Sequence, residues 1–172
     1  MMKNLVLVGF MGTGKTSVGG LLSKYLVREF VDVDKLIEEE QGMAILQIFA
    51  EKGEEYFRGA EKRVIKELSL RDNLVIAAGG GAVLFEENVA NLKKNGIIFC
   101  LSAAPSVILQ RTKGYRHRPL LNDVDEPLKR IGELMDLRAS YYERAADYMI
   151  DTSMVDIEEV MAKIVDIVKG LT

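Results

Sequence analysis

Apolar residues recur along the chain in two alternating patterns. Short continuous apolar runs, typical of strands buried on both faces, alternate with longer segments in which apolar residues recur every three or four positions. We predict strands at residues 3–8, 30–34, 74–78, 96–101 and 148–151. We predict helices at 15–27, 34–40, 44–51, 53–70, 86–95, 105–112, 126–145 and 156–169. This alternation indicates an α/β fold in which a parallel sheet carries helices on both faces.

Two segments interrupt the regular alternation. Residues 35–73 carry several predicted helices where one crossover helix would connect two strands, and residues 112–123 are polar, contain glycine and proline, and show little periodicity. Additions of this kind can hold an acceptor substrate or close over a bound ligand and exclude water. We therefore expect an acceptor-binding insertion at about 34–70 and a lid at about 112–125. The alternative for the second segment is an ordinary surface loop.

Length and charge limit the possible partners and locations. The chain of 172 residues is long enough for one core and short for two, so we expect a single domain over 1–172. Its net charge of −3 argues against nucleic acid or an anionic membrane as a partner. No apolar run reaches the ~20 residues of a membrane span and no signal-peptide pattern is present, so we expect a cytoplasmic protein.

The single cysteine and the single histidine carry little chemistry. Cys100 follows an apolar run, which favours a buried structural thiol over a reactive one. His117 lies in the polar segment, where a solvated loop histidine is the simpler interpretation. One residue of each type also excludes a zinc centre built from cysteine and histidine.

A glycine-rich motif gives the strongest functional signal. Residues 9–16, here called the phosphate loop, read GFMGTGKT and match the pattern G-x-x-x-x-G-K-[ST]. A loop of this kind between a strand and a helix presents backbone N–H groups to phosphates, with Lys15 suited to the β- and γ-phosphates and Thr16 to Mg²⁺. A merely flexible glycine loop would not account for the order of strand, turn and helix. The motif therefore predicts binding of a nucleoside triphosphate.

Two carboxylates follow the second predicted strand. Asp32 and Asp34 are two positions apart, so an extended strand would turn both side chains to one side. Ligands of an open parallel sheet bind beyond the carboxyl ends of its strands. One carboxylate could hold a metal through water and the other could accept a proton from a substrate hydroxyl. The alternative is that they cap the helix that begins near Lys35.

Glycines and arginines later in the chain are open to two interpretations. Gly79, Gly80 and Gly81 follow the third predicted strand, where they could admit a ligand close to the backbone or form a flexible turn. Arg58 and Arg138 could each bind a carboxylate with two hydrogen bonds, or could form ordinary surface ion pairs. The residues alone do not decide between these alternatives.

The motifs resemble the shikimate kinase family over nearly the whole length of the chain. The resemblance implies a three-layer P-loop kinase fold with a five-stranded parallel sheet in the order 2-3-1-4-5. The matching segments are the phosphate loop extended to Gly19, Asp32-Val33-Asp34, residues 42–49 and 53–61, Gly79-Gly80-Gly81, Arg111-Thr112, Arg118-Pro119-Leu120-Leu121, and Arg138 with Tyr142.

The resemblance also implies a reaction and a set of site residues. The reaction is transfer of the γ-phosphate of ATP to the 3-hydroxyl of shikimate in aromatic amino acid biosynthesis, with Mg²⁺ as cofactor and, we expect, a monomer as the active form. Asp34 is the implied base, and Glu61 the implied support of Arg58. The implied site residues are Asp34, Lys15 and Arg118 for catalysis; Gly12, Thr13, Gly14, Lys15, Thr16, Ser17 and Arg111 for ATP; Asp34, Arg58, Gly79, Gly80, Gly81 and Arg138 for shikimate; and Thr16 and Asp32 for the metal.

Two other functions are compatible with the phosphate loop. One is another small-molecule kinase of the same layout, such as a gluconate kinase, and the other is a catalytically silent nucleotide-binding module. Arginines and close glycines suit an acceptor that carries a carboxylate and ring hydroxyls, which favours shikimate. The intact set of Lys15, Asp32, Asp34, Arg58 and Arg138 argues against a silent module.

Overall fold

The computed structural model of the protein describes residues 3–113 and 126–171. Within that part the strands are β1 (Asn4–Val8), β2 (Glu29–Asp32), β3 (Leu74–Ala77), β4 (Gly96–Ser102) and β5 (Tyr148–Asp151). The helices are α1 (Lys15–Leu26), α2 (Val33–Gln41), α3 (Ile45–Leu68), α4 (Glu86–Lys94), α5 (Pro105–Thr112), α6 (Pro127–Ala145) and α7 (Ile157–Gly170), and a 3₁₀ turn at Ala82–Leu84 precedes α4.

The strands form one parallel sheet with β1 at its centre. The strand order is β2-β3-β1-β4-β5, which confirms the order 2-3-1-4-5 expected from the resemblance. Every residue of β1 is buried, as its continuous apolar sequence predicts for a strand covered on both faces. Because β1 pairs with β3 on one side and β4 on the other, the phosphate loop begins in the middle of the carboxyl edge of the sheet. Ligands of open α/β sheets bind at this edge, where the strand order reverses.

Two apolar cores cover the two faces of the sheet. Leu5 and Leu7 pack with residues of α1 and α7, whereas Val6 and Val8 pack with residues of the helices on the opposite face. This division follows from the alternation of side chains along a strand. It confirms the predicted layering of helices on both faces.

The boundary between β2 and α2 corrects one sequence-based prediction. β2 ends at Asp32, whose carboxylate accepts a hydrogen bond from the backbone N–H of Lys35 at 3.4 Å and caps α2. Asp34 therefore lies in the first turn of α2 and not in a strand. The prediction that strand geometry turns both carboxylates to one side is wrong, because the preference of aspartate for a helix N-cap ends the strand two residues earlier.

The predicted acceptor-binding insertion is occupied by α2 and α3. α3 contains Gly53 with non-helical angles, φ 86° and ψ 167°, so two helical segments meet there at a kink, as the separate predictions at 44–51 and 53–70 anticipated. Thr112 ends α5 at the start of the predicted lid. Residues 114–125, which include Arg118 and His117, lie outside the described residues.

The burial of Cys100 bears out one simpler expectation. The thiol of Cys100 is buried in β4, and burial raises its pKa to about 11, which confirms a structural role over a reactive one. Among the described residues, no helix combines the length and the apolar character needed to cross a membrane.

Adjacent glycines in α1 give a matched test of the fold. A Cβ at Gly20 would meet no other atom within 4 Å in the described part of the protein, whereas a Cβ at Gly19 would lie 2.3 Å from the Phe30 ring. We predict that Gly20→Ala raises the free energy of unfolding by about 1 kcal/mol through helix propensity. Gly19→Ala should lower it because the Phe30 ring must move. Denaturant titration of both variants checks the prediction, and equal effects would contradict the packing of α1 against β2.

Candidate active site

The phosphate loop connects β1 to α1 and lies against β4. Gly9 has φ 137°, and a Cβ at this position would lie 2.1 Å from the carbonyl oxygen of Leu101, so no other residue fits. Gly14, with φ 98°, starts α1. The loop thus brings its backbone N–H groups to the positive end of a helix dipole, which favours bound anions.

Lys15 is held over the phosphate loop by the loop itself. Its Nζ donates hydrogen bonds to the carbonyl oxygens of Gly9 at 2.8 Å and Phe10 at 2.9 Å. The hydroxyl of Thr13 donates to the same Phe10 carbonyl at 2.8 Å, which closes the turn. These contacts fix an ammonium group at the mouth of the loop.

Thr16 and Asp32 come together as a pair of oxygen donors. The Thr16 hydroxyl donates to Oδ2 of Asp32 at 2.8 Å, while Oδ1 of Asp32 caps α2. A hydroxyl and one carboxylate suit Mg²⁺, which retains waters and takes further oxygens from substrate phosphates. In residues 3–113 and 126–171, no cluster of three or more Asp, Glu, His or Cys could hold a metal by itself. The pair therefore fits a magnesium ion shared with a bound nucleotide.

A cleft of about 830 Å³ runs along the carboxyl edge of the sheet above the phosphate loop. At one end it is lined by Asp34 and Gly80, and at the other by Arg111, Val155 and Ile157. The two ends differ in chemistry, since the first carries a buried carboxylate and the second combines an arginine with apolar side chains. The cleft can thus hold an elongated ligand with its phosphates at the middle.

Arg111 is fixed at the second end of this cleft by Thr152. Its guanidinium donates to the Thr152 hydroxyl at 2.9 Å and to the Thr152 carbonyl at 2.6 Å. The Thr152 hydroxyl also contacts the Thr13 carbonyl at 3.1 Å, so the residue links β5 to the phosphate loop. These contacts hold the guanidinium in one orientation, which suits stacking on a planar ring.

Arg58 lies in an ion-pair network beside Gly81, which follows β3. It donates to Oε2 of Glu61 at 3.0 Å and to Oε1 of Glu54 at 3.2 Å, and its side chain is only 17% exposed. Glu61 is fully buried. The ion pairs that the i, i+3 and i, i+4 spacing indicated are therefore present, but they hold Arg58 against the sheet edge and not on the open surface.

The glycine turn, residues 79–81, lies directly against these charged groups. A Cβ at Gly79 would be 2.7 Å from Oδ1 of Asp34 and 2.9 Å from Oε1 of Glu61, and one at Gly81 would be 2.7 Å from the Arg58 guanidinium. Larger residues would displace all three side chains. The bare backbone is thus required by the protein's own charged side chains, and the approach of a ligand to these glycines stays a prediction.

Two buried carboxylate oxygens face the glycine turn without a hydrogen-bond partner among the described residues. They are Oδ1 of Asp34 and Oε1 of Glu61. Burial raises the pKa of Asp34 to about 6, with the charge of Asp32 raising it further and those of Lys15 and Arg58 opposing. Burial also raises the pKa of Glu61, against the effect of Arg58. Unpaired buried acceptors with shifted pKa values are a common signature of ligand sites.

α6 brings two further polar side chains to this edge of the sheet. The guanidinium carbon of Arg138 lies 5.7 Å from the centroid of the Phe10 ring. One turn later, the hydroxyl of Tyr142 donates to the carbonyl oxygen of Gly80 at 2.6 Å. Helix α6 therefore contacts both the phosphate loop and the glycine turn.

Comparisons with known proteins agree with this geometry. A family model described as shikimate kinase matches residues 11–169. The chain belongs to the shikimate kinase family. A curated shikimate kinase of Thermodesulfovibrio yellowstonii is 51% identical over 95% of this chain and 94% of its own length. The structure of a shikimate kinase from Acinetobacter baumannii in complex with shikimate matches all of this chain and 96% of that one, with a TM-score of 0.94 and 38% identity.

Family membership settles the class of reaction. This shikimate kinase family member is an enzyme that phosphorylates shikimate with ATP as co-substrate, as predicted. A gluconokinase from Sinorhizobium meliloti also matches, with a TM-score of 0.61 and 12% identity, a likeness that shows a shared fold alone. The competing prediction of a gluconate kinase gains no support from it.

The structure brings most of the predicted site residues of this kinase to one edge of the sheet. The phosphate-loop residues, Asp32, Asp34, Arg111 and the glycine turn lie in or beside the cleft. Arg58 lies against the glycine turn, and Arg138 lies over the ring of Phe10 in the phosphate loop. Sequence reasoning did not anticipate the contacts of Thr152, Val155 and Ile157. The only indication of these contacts in the sequence is that the three residues follow the carboxyl end of β5.

The contact between Gly81 and Arg58 gives a test of the predicted role of Arg58 in shikimate binding. We predict that Gly81→Ala moves the Arg58 guanidinium and weakens shikimate binding at least tenfold, since a displaced charged hydrogen-bond donor costs on the order of 1.5–3 kcal/mol. Binding of ADP to the phosphate loop should stay unchanged. Calorimetric titration with each ligand checks the prediction, and unaltered shikimate affinity would show that Arg58 need not lie against Gly81.

Proposed function

We propose that Asp34 accepts the proton of the 3-hydroxyl of shikimate as the γ-phosphoryl group of ATP is transferred to that oxygen. The observation that carries this proposal is the buried, unpartnered Oδ1 of Asp34 beside Gly79, at the end of the cleft that contains Lys15. A substrate hydroxyl at this position would supply the missing hydrogen bond. Positioned bases of this kind commonly contribute 10²–10⁴-fold to rate.

The phosphate loop would hold the triphosphate of ATP. The end of the cleft that Arg111 lines would hold its adenine ring. Residues 12–17 offer backbone N–H groups, with Lys15 for the β- and γ-phosphates. The adenine would lie between the Arg111 guanidinium, fixed by Thr152, and the apolar side chains of Val155 and Ile157. A planar ring between a guanidinium and apolar groups gains stacking contacts on both faces.

Thr16 and Asp32 would hold a magnesium ion. Their contact of 2.8 Å places a hydroxyl and a carboxylate oxygen at the start of α1, next to Lys15. The ion neutralises charge on the phosphate oxygens when it is bound. Asp32 would combine this role with the capping of α2.

The acceptor would be held by charges on both sides of the glycine turn. Arg58 and Arg138 would bind its carboxylate, with Glu61 keeping Arg58 in place. The glycine turn would lie beside the acceptor, since Gly80 lines the cleft while Gly79 and Gly81 let Asp34, Glu61 and Arg58 pack close to the backbone. Arg118, outside the described residues, would add a cation near the transferred group. Phosphoryl transfer requires such positioning and charge neutralisation more than covalent participation by the protein.

We further propose that the chain acts as a monomeric, single-domain enzyme in the cytoplasm, where ATP is available, without nucleic acid or membrane as a partner. The net charge of −3 supports the absence of polyanionic partners. Sedimentation analysis at working concentration would test the oligomeric state, and a stable dimer would contradict it.

A coupled assay of ADP release tests the acceptor and the metal together. We expect turnover with shikimate, none with gluconate or nucleoside monophosphates, and loss of turnover when Mg²⁺ is removed by a chelator. Determination of the phosphorylated position by NMR should give the 3-phosphate. Phosphorylation of another hydroxyl, or full activity without a divalent cation, would contradict the proposed arrangement.

Substitution of Asp34 tests the proposed base. We predict that Asp34→Asn, which keeps the shape but loses the proton acceptor, lowers kcat by a factor of ~10² or more while ADP affinity changes little. The exposed Asp166 on α7 offers a matched control, and Asp166→Asn should turn over at the wild-type rate. Normal turnover by Asp34→Asn would mean that the positioning of the substrates accounts for the rate without a proton acceptor at Asp34.

A further inference from the structure

Tyr142 lies on α6 at the point where this helix passes the glycine turn. Its side chain is buried, with 6% exposure, and its hydroxyl donates to the carbonyl oxygen of Gly80 at 2.6 Å. A buried tyrosine usually directs its hydroxyl to a polar partner. Here that partner is the backbone of the turn proposed to hold the acceptor.

The guanidinium of Arg138, one helical turn earlier on α6, lies close enough to this hydroxyl to oppose the rise of its pKa, first through its charge and then through hydrogen bonding. A guanidinium, a hydroxyl and a carbonyl are thus joined in series. Each bond in such a chain polarises the next, and the effect is stronger in a buried environment than in water. Burial raises the pKa of Tyr142 to about 12, so the hydroxyl keeps its proton and remains a donor to Gly80.

Gly80 lies between Tyr142 and the phosphate loop. A Cβ on Gly80 would be 3.6 Å from the Gly9 carbonyl oxygen, 3.7 Å from the Met11 backbone nitrogen and 3.9 Å from the Tyr142 hydroxyl. Arg138, the other partner of the hydroxyl, lies over the ring of Phe10. The Tyr142 hydroxyl therefore contacts two acceptor-side groups, Gly80 and Arg138, each of which in turn lies next to the phosphate loop.

We propose that Tyr142 is a positioning residue for the acceptor, whose hydroxyl fixes the Arg138 guanidinium and the Gly80 carbonyl relative to each other and to the phosphate loop. Tyr142 acts through these two groups and does not touch the reacting atoms. The proposal rests on the proposed roles of Arg138 and the glycine turn in holding shikimate. It explains how Arg138 and the glycine turn would be kept aligned with the γ-phosphate of ATP.

A purely structural role for the hydroxyl makes a different prediction. Loss of a buried hydrogen bond would then lower stability and leave the kinetic constants of the folded enzyme unchanged. A positioning role affects the acceptor selectively, because only Arg138 and Gly80 lose their alignment. Comparison of the change in the KM for shikimate with the change in the KM for ATP therefore separates the two alternatives.

Tyr142→Phe removes the hydroxyl and keeps the ring. We expect the KM for shikimate to rise about tenfold and kcat to fall, with the KM for ATP within twofold of wild type, when turnover is measured well below the melting temperature. Tyr141→Phe is the matched control, because Tyr141 is the neighbouring residue and is 37% exposed. It should match the wild type in all three constants.

A double-mutant cycle with Arg138→Lys tests whether Tyr142 acts through Arg138. We expect the effect of Tyr142→Phe on the shikimate KM to shrink at least threefold in the Arg138→Lys background, because the shared interaction is already lost. Full additivity, or a wild-type shikimate KM in Tyr142→Phe, would overturn the positioning role and leave the proposed function intact. Absence of shikimate turnover in the wild-type enzyme would instead overturn both.

Discussion

The active-site geometry depends on the packing of charged side chains against a backbone turn that carries no side chains. Asp34, Glu61 and Arg58 lie so close to residues 79–81 that a Cβ at Gly79 or Gly81 would overlap them. Glu61 is fully buried and relies on Arg58 for compensation of its charge. Because an unpaired buried charge is costly, the turn, the ion pair and the Asp34 carboxylate depend on one another.

The order of the strands explains why the proposed nucleotide and acceptor sites are neighbours. Asp32 pairs in register with Ala77 of β3, and Ala77 pairs with Leu7 of β1. The segments that follow these residues therefore leave the sheet side by side, and they carry Asp34, the glycine turn and the phosphate loop. Strand pairing brings the proposed base and the phosphate loop to one edge, and α3 and α6 then add Arg58 and Arg138.

The sequence predicted those features that depend on local pattern. The phosphate loop, the alternation of strands and helices, and the burial of Cys100 all follow from residue type and spacing over short distances. The strand end at Asp32 was missed because two tendencies compete there, and the helix cap that Asp32 forms outweighs the extended pattern.

Features that depend on distant contacts could not be decided from the sequence. The glycine turn was ambiguous because the groups it touches, Asp34, Arg58 and Glu61, come from elements far away in the chain. Arg58 was open to two interpretations, and the structure shows why: its ion pairs with Glu54 and Glu61 exist and also hold it beside the glycine turn. The hydrogen bond from Tyr142 to Gly80 joins residues too distant in sequence for any spacing to reveal.

The most direct measurement is a crystal structure of the enzyme with ADP, Mg²⁺ and shikimate bound together. We predict that Asp34 lies within hydrogen-bonding distance of the 3-hydroxyl, that this oxygen faces the β-phosphate of ADP across the space of the transferred group, and that Arg58 and Arg138 contact the carboxylate. A bound shikimate whose carboxylate faces away from both arginines, or whose 3-hydroxyl lies beyond the reach of Asp34, would contradict the proposed arrangement of the site.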